Sequence, residues 1–150
     1  MSTAKQFNTA LRDWAEIFMT HSMREWVRFV KSSGLSMPQF STLMRLYYNG
    51  GCGISEISAN LDVTAPAASQ MVDRLVQMGL LERGEDPNDR RAKQVTLSAK
   101  GRALIEKGIE ARNRWSEEQT TKLTAEQRGI VVEALTFLTE AASKLYSKHE

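Results

Sequence analysis

With 150 residues, 41% of them hydrophobic and 25% charged, the chain has the size and composition of one globular domain, which argues against wholesale disorder and against two independent cores. The net charge of +2 excludes a general polycation, so any binding to nucleic acid must depend on where the basic residues lie. A single cysteine excludes an internal disulfide, and the sequence shows neither a membrane span nor a signal peptide, so we expect a cytoplasmic protein with no membrane partner.

Two helices are predicted at the start of the chain. Apolar residues recur at steps of three and four from Ala4 to Ser32, and Ser32-Ser33-Gly34 supplies a stop. We interpret the aromatic residues of this helix as core or as the seam of a dimer. Ser36-Met37-Pro38-Gln39 has the pattern of a capping box with proline in the first turn, and Asn49-Gly50-Gly51 ends the second helix.

A helix-turn-helix is predicted next. Ser55 is expected to cap a short helix, Asp62-Val63 makes the turn, and Thr64 caps a second helix from Ala65 to Met78. The second helix has one apolar face. Its other face offers side chains suited to the major groove, where glutamine can pair with adenine, small groups can meet thymine methyls and arginine can bind guanine or phosphate. Together with Ser55, the predicted DNA contacts here are Thr64, Pro66, Ala67, Ser69, Gln70 and Arg74. The alternative is a plain solvated face.

A two-stranded hairpin is predicted from Leu80–Arg83 and Lys93–Leu97, with turn formers over Gly84–Asp89. Its tip is basic and could reach phosphates or a narrow minor groove, although a solvated charge run is the competing interpretation. The predicted contacts here are Asp89, Arg90, Arg91 and Lys93. A helix-turn-helix, a hairpin and arginines at its tip within one short stretch are together more specific than any one of them.

Two long helices are predicted to complete the chain. Ser98 is expected to cap the first, which runs to about Gln119 and is softened by Gly108. Thr124-Ala125-Glu126-Gln127 opens the last helix, which runs to about Ser147. Because that helix is apolar over a wide arc, we expect it to be buried on two sides.

Catalytic and metal chemistry find little support in the sequence. His21 and His149 are the only histidines, no phosphate-binding loop or hydrolase motif occurs, and Cys52 with one histidine is short of metal ligands. We therefore predict no enzyme and no cofactor. Cys52 lies between glycines near a helix start, which could lower its pKa and make it a redox sensor. The competing interpretation is a small buried residue at a strand or turn.

Several segments carry a resemblance to one family. They are Ser55-Glu56-Ile57 followed by Leu61, Val72-Asp73-Arg74-Leu75, Gly79-Leu80-Leu81-Glu82-Arg83, Asp86-Pro87-Asn88-Asp89-Arg90-Arg91 and Leu97-Ser98-Ala99-Lys100-Gly101. At these residues the sequence resembles the MarR family of winged-helix transcriptional regulators. The resemblance implies that Ala65 to Met78 enters the major groove and that Asp89 and Arg91 organise the wing, with Arg91 reaching the minor groove. Gln70 stands where many members carry arginine.

The resemblance also implies an architecture. We expect a mainly α fold with a small wing, in which residues 1–150 form a single chain, residues 36–98 form the DNA-binding winged helix-turn-helix, and residues 4–33 with 99–147 form an intertwined dimerisation region. The implied partners are double-stranded DNA, a second copy of the chain and a small aromatic or anionic effector. The predicted effector site is lined by Trp14, Phe18, His21, Met44, Tyr47 and Tyr48.

The functional prediction is a homodimeric, sequence-specific repressor that binds a pseudo-palindromic operator and responds to a small ligand. Two alternatives stay open at this point. One is a redox-responsive regulator that senses through Cys52, and the other is a winged-helix module that binds protein and not DNA.

Overall fold

A computed structural model of the chain describes residues 3–89 and 93–146, with side chains described as far as residue 144. Arg90, Arg91 and His149 therefore lie outside the described residues. Within the described part there are six helices and two strands. In chain order they are α1 (Ala4–Ser33), α2 (Met37–Asn49), α3 (Ile54–Leu61), α4 (Ala65–Gln77), β1 (Leu81–Glu85), β2 (Lys93–Leu97), α5 (Ala99–Thr120) and α6 (Ala125–Tyr146). The chain divides into two compact units, Met1–Arg112 and Asn113–Glu150.

The first two helices begin at reciprocal caps. At α1 the Thr3 hydroxyl accepts from the Gln6 amide at 3.2 Å, and the Gln6 side chain accepts from the Thr3 amide at 2.8 Å. At α2 Ser36 and Gln39 make the same pair of bonds, which confirms the predicted capping box. Gly34 ends α1 with φ 73°, a left-handed conformation that costs glycine no Cβ clash. None of the helices in the described part of the chain combines the length and apolarity that a bilayer span requires.

The core of the first unit collects side chains from the helices and from the wing. Its largest fully buried members are Phe40, Leu43, Ile57, Val72, Leu75, Leu81, Val95 and Ile105. Gly108 of α5 is buried among them, and a Cβ there would lie 2.9 Å from the Phe29 ring and 3.3 Å from the Phe40 ring. This glycine permits α5 to pack closely on aromatic rings, a role that the sequence prediction of a softened helix did not include.

The wing is longer than the sequence predicted. β1 and β2 pair antiparallel from Leu81 opposite Leu97 to Glu85 opposite Lys93, so Gly84 and Glu85 belong to a strand and not to the turn. Their backbone groups are satisfied by pairing with β2, which outweighs the low strand propensity of glycine.

Cys52 ties the loop between α2 and α3 to the wing. Its amide donates to the Val95 carbonyl at 3.1 Å, and the Val95 amide donates back to the Cys52 carbonyl at 2.8 Å. Because this bridge fixes the backbone just before α3, the helix starts at Ile54 with Gly53 as its N-cap. The prediction that Ser55 caps α3 is wrong, since Ser55 lies inside the first turn.

The second unit contains the end of α5 and all of α6. Thr124 opens α6 with the predicted capping box, in which its hydroxyl accepts from the Gln127 amide at 3.2 Å and the Gln127 side chain accepts from the Thr124 amide at 2.9 Å. No described side chain of α6 is buried, and Phe137 is 62% exposed. The prediction that this helix is buried on two sides is therefore wrong for one copy of the chain.

Candidate nucleic-acid interface

α4 has the two faces that a recognition helix needs. The Thr64 hydroxyl caps it by accepting from the Ala67 amide at 3.4 Å, as predicted, and Pro66 lies in its first turn. Ala68, Val72 and Leu75 face the core and have no exposed surface. Their spacing of three and four residues anchors one side of the helix and leaves the other side in solvent.

The predicted base-contacting side chains lie on the solvent side of α4. Five of them are exposed and Ser69 is half-buried. The exposed members are Thr64, Pro66, Ala67, Gln70 and Arg74. Ser55 is also exposed, but it projects from α3 and not from α4. The outer face of α4 thus presents small and polar side chains, which are the types that contact base edges in a major groove.

An ion pair joins α4 to the wing. Arg83 of β1 donates to the Asp73 carboxylate of α4 at 2.5 Å. The two side chains are 39% and 54% exposed, so solvent screens much of the attraction. The pair fixes the direction of the wing relative to the helix more than it adds to stability.

Two of the predicted wing contacts, Asp89 and Lys93, are described by the structure on either side of the wing tip. Asp89 and Lys93 are both exposed. Asp86 orders the turn that precedes Asp89, because its carboxylate accepts from the Asn88 amide at 2.8 Å and its carbonyl accepts from the Asp89 amide at 3.2 Å. The roles of Arg90 and Arg91 stay predictions, since both lie outside the described residues.

A cavity of about 510 Å³ opens in the first unit, and α1, α2 and α5 supply its walls. It is lined by Phe18, Met19, Ser22, Met23, Trp26, Met37, Phe40, Ser41, Met44 and Arg112. The Arg112 guanidinium carbon lies 5.3 Å from the centre of the Trp26 ring, and its buried Nε has no hydrogen-bond partner among the described residues. An apolar cavity with one incompletely satisfied cation suits a lipophilic anion.

Two of the six predicted effector residues, Phe18 and Met44, line this cavity. Trp14 stacks on Phe18 with ring centres 5.1 Å apart but does not line it. His21 lies in a separate shallow depression of α1. Arg112 was missed by sequence reasoning, although its position continues the inward stripe of α5 at helical spacing, and a cation on such a stripe is a usable signal.

The two predicted tyrosines are engaged elsewhere. Tyr47 and Tyr48 meet edge to face with ring centres 5.2 Å apart. The Arg102 guanidinium carbon lies 5.3 Å from the centre of the Tyr47 ring. The contact with Arg102 places Tyr47 beside the first turn of α5, and neither tyrosine lines the cavity.

Cys52 has the properties of a structural thiol. It is buried, and burial raises the pKa of its thiol, with a further raising contribution from Glu56 and an opposing one from Arg45. Burial and the bridge to Val95 confirm the interpretation of Cys52 as a small buried residue at a strand. The expectation of a lowered pKa is wrong, because burial outweighs the nearby helix start, and the thiolate is scarce near neutral pH. In the described part of the chain no cluster of histidine, cysteine and carboxylate side chains could hold a metal ion.

Comparisons with known proteins agree with this geometry. A family model described as the MarR family matches residues 35–93. The HTH-type transcriptional regulator YwhA of Bacillus subtilis is 34% identical over 83 residues, which cover 55% of this chain and 60% of that protein.

Solved structures extend the similarity over nearly the whole chain. The transcriptional regulator Tm0710 from Thermotoga maritima superimposes with a TM-score of 0.78 at 29% sequence identity, and the match covers 95% of this chain and 98% of the Tm0710 chain. A mutant of MepR from S. aureus shares the fold, with a TM-score of 0.59 at 20% identity over 91% of this chain and 97% of its own.

Proposed function

Because this chain belongs to the MarR family of winged-helix transcriptional regulators, we propose that it represses transcription by binding a pseudo-palindromic DNA site as a homodimer. The family is one of regulators and not of enzymes, which agrees with the prediction from the sequence. The observation that carries the proposal is the outer face of α4, where the polar and small side chains of Thr64 to Arg74 are exposed opposite a fully buried anchor. The MepR mutant that shares this fold was solved bound to an oligodeoxyribonucleotide.

Exposed apolar surface supports the homodimer. In the first half of α1 Phe7, Leu11, Trp14 and Ile17 are exposed, and Trp14 keeps 44% of its surface in solvent. α6 independently exposes apolar side chains around much of its circumference. Surfaces of this kind are usually covered by a partner, and a second copy is the partner that the family implies. Two-fold symmetry would then place the half-sites about 10 bp apart.

The DNA-binding roles can be separated by experiment. The wild-type chain is first used to select duplexes from a randomised library, and affinities are then measured by fluorescence anisotropy. Gln70→Ala is expected to change base preference, because glutamine reads a base edge, whereas Arg91→Ala is expected to weaken binding to all sequences. The reverse pattern would contradict the assigned roles. Binding that does not weaken as salt rises would favour the protein-binding module instead.

We also propose that an effector in the α1–α2–α5 cavity weakens DNA binding by changing the separation of the two α4 helices. The effector is a small aromatic or lipophilic anion, since the cavity walls are apolar and Arg112 supplies the charge. A distance between the two copies of Arg74 that stays the same with every effector that releases DNA would contradict this mechanism.

The cavity can be tested with anilinonaphthalene sulfonate as the anionic aromatic probe. Arg112→Met is expected to weaken its binding about tenfold, because a buried charge-assisted hydrogen bond is lost. Arg28→Met is the matched control, since Arg28 is exposed and paired with Glu25 at 2.8 Å. Equal affinity for the probe in both variants would show that Arg112 does not receive the anion.

A further inference from the structure

The C-terminal end of α4 is closed by a left-handed glycine. Gly79 has φ 72°, its amide donates to the Val76 carbonyl at 2.9 Å, and the Leu80 amide donates to the Leu75 carbonyl at 2.9 Å. This is the Schellman arrangement, and it satisfies two of the carbonyls at the helix end. The carbonyl of the C-cap residue Met78 and the carbonyls of Gly79 and Leu80 beyond it need donors from elsewhere.

All three of these carbonyls receive donors from one short segment, Ser98–Gly101, at the start of α5. The Lys100 ammonium donates to the Met78 carbonyl at 2.8 Å. The Ser98 hydroxyl donates to the Gly79 carbonyl at 2.6 Å, and the Ser98 amide donates to the Leu80 carbonyl at 3.1 Å. We call these three bonds the carbonyl clamp.

The clamp is rigid, because the backbone at the start of α5 is in direct contact with the backbone that follows α4. Ser98 is buried, and its hydroxyl also accepts from the Gly101 amide at 2.9 Å, which caps α5 as predicted. Gly101 lies directly on the Leu80 carbonyl, so closely that a Cβ at this position would overlap the carbonyl oxygen. The first turn of α5 and the last turn of α4 are therefore held as one piece.

Lys100 is the charged member of the clamp. An ammonium group at the C-terminal end of a helix is attracted by the negative end of the helix dipole. The Lys100 stem also passes over Gly79, where a Cβ would meet its Cδ at 3.8 Å. Its charge is therefore directed at the end of α4.

Given the proposed role of α4 in reading DNA, we infer that Lys100 is a positioning residue, which sets the pose of α4 from α5 and contributes no phosphate contact. The clamp makes α5 the element to which the reading helix is attached. Movement of the first turn of α5 then carries the C-terminal end of α4 with it.

Salt dependence distinguishes the two roles that a lysine can have near DNA. Affinity of the library-selected duplex is measured by anisotropy between 50 and 200 mM salt for wild type, Lys100→Met and Lys93→Met. Lys100→Met is expected to lower affinity about fivefold at every salt concentration, with the slope of log affinity against log salt unchanged. Lys93→Met is the matched control and should lower that slope by about 0.9 per protomer. A comparable loss of slope in Lys100→Met, or unchanged affinity, would overturn the assignment.

A second readout does not depend on DNA. Hydrogen exchange of the Gly79 and Leu80 amides is expected to be about fivefold faster in Lys100→Met, because the end of α4 opens more often, and Lys100→Arg should restore both exchange and affinity. Unchanged exchange would overturn the clamp. If exchange is faster in Lys100→Met but the wild-type chain selects no duplex from the library, the clamp stands. In that case both the proposed DNA-binding function and the positioning role of Lys100 are overturned.

Discussion

Among the glycines that do not have a positive φ, Gly101 is the one whose replacement by alanine should destabilise the chain most. The added Cβ would overlap the Leu80 carbonyl oxygen and lie 3.0 Å from a methyl group of Leu97. The Leu80 carbonyl cannot retreat without breaking its bond from the Ser98 amide. We take the upper end of the range for overpacking, about 3 kcal/mol, and subtract up to about 1 kcal/mol for the better helix propensity of alanine.

The net loss of about 2 kcal/mol corresponds to a fall in Tm of about 4–8 °C for a chain of this length. The measurement is thermal unfolding followed by circular dichroism at one fixed protein concentration, because a dimer would make Tm depend on concentration. Gly84→Ala is the control, since a Cβ there meets nothing within 4 Å, and its effect should stay within about 0.5 kcal/mol. Equal Tm values for the Gly101→Ala and Gly84→Ala variants would refute the close approach of α5 to Leu80.

Three further predictions concern α4 and its surroundings. Asp73→Asn should lower the free energy of unfolding by less than about 1 kcal/mol in urea titrations, with no additional loss when Arg83→Gln is added, because the pair is half-exposed and acts as a unit. Thr64→Ala should cost about 1 kcal/mol by the same assay, since α4 loses its hydroxyl cap, and full retention of stability would contradict the cap. The pKa of the folded Cys52 thiol is raised above its ordinary value of 9.0, so the thiol contributes stability below that pH and loses this contribution as the pH rises through the folded pKa. The Cys52→Ser variant should lack this loss of stability at alkaline pH. The same variant should leave any peroxide response of DNA binding unchanged.

Local chemistry accounts for most of what the sequence predicted correctly. The helix caps at Ser36, Thr64, Ser98 and Thr124 each depend on a side chain and on an amide three residues later, so they can be predicted from a few neighbouring residues. The apolar face of α4 follows in the same way from its spacing. Strand β2 was located correctly. The predicted β1 stopped before Gly84, because the pairing of Gly84 with Gln94 is a contact between separate segments that the local sequence does not reveal.

The errors arose where distant parts of the chain meet. Ser55 looked like a cap, but α3 begins two residues earlier, directly after the bridge from Cys52 to Val95. The packing of Gly108 on the Phe29 ring was missed because Phe29 is far away in sequence. The contact between Arg102 and the Tyr47 ring, which also joins residues far apart in sequence, could not be predicted either.

The bridge between Cys52 and Val95 also changes how the small sheet meets its surroundings. β2 is paired along its length with β1 on one side and, at Val95 alone, with the Cys52 backbone on the other, so within the described residues β1 has the longer open edge. That edge is five residues long and carries the exposed charges of Glu82, Arg83 and Glu85. Short, charged edge strands resist the addition of a strand from another molecule. Copies of this chain are therefore expected to associate through their helices and not by adding strands to the wing.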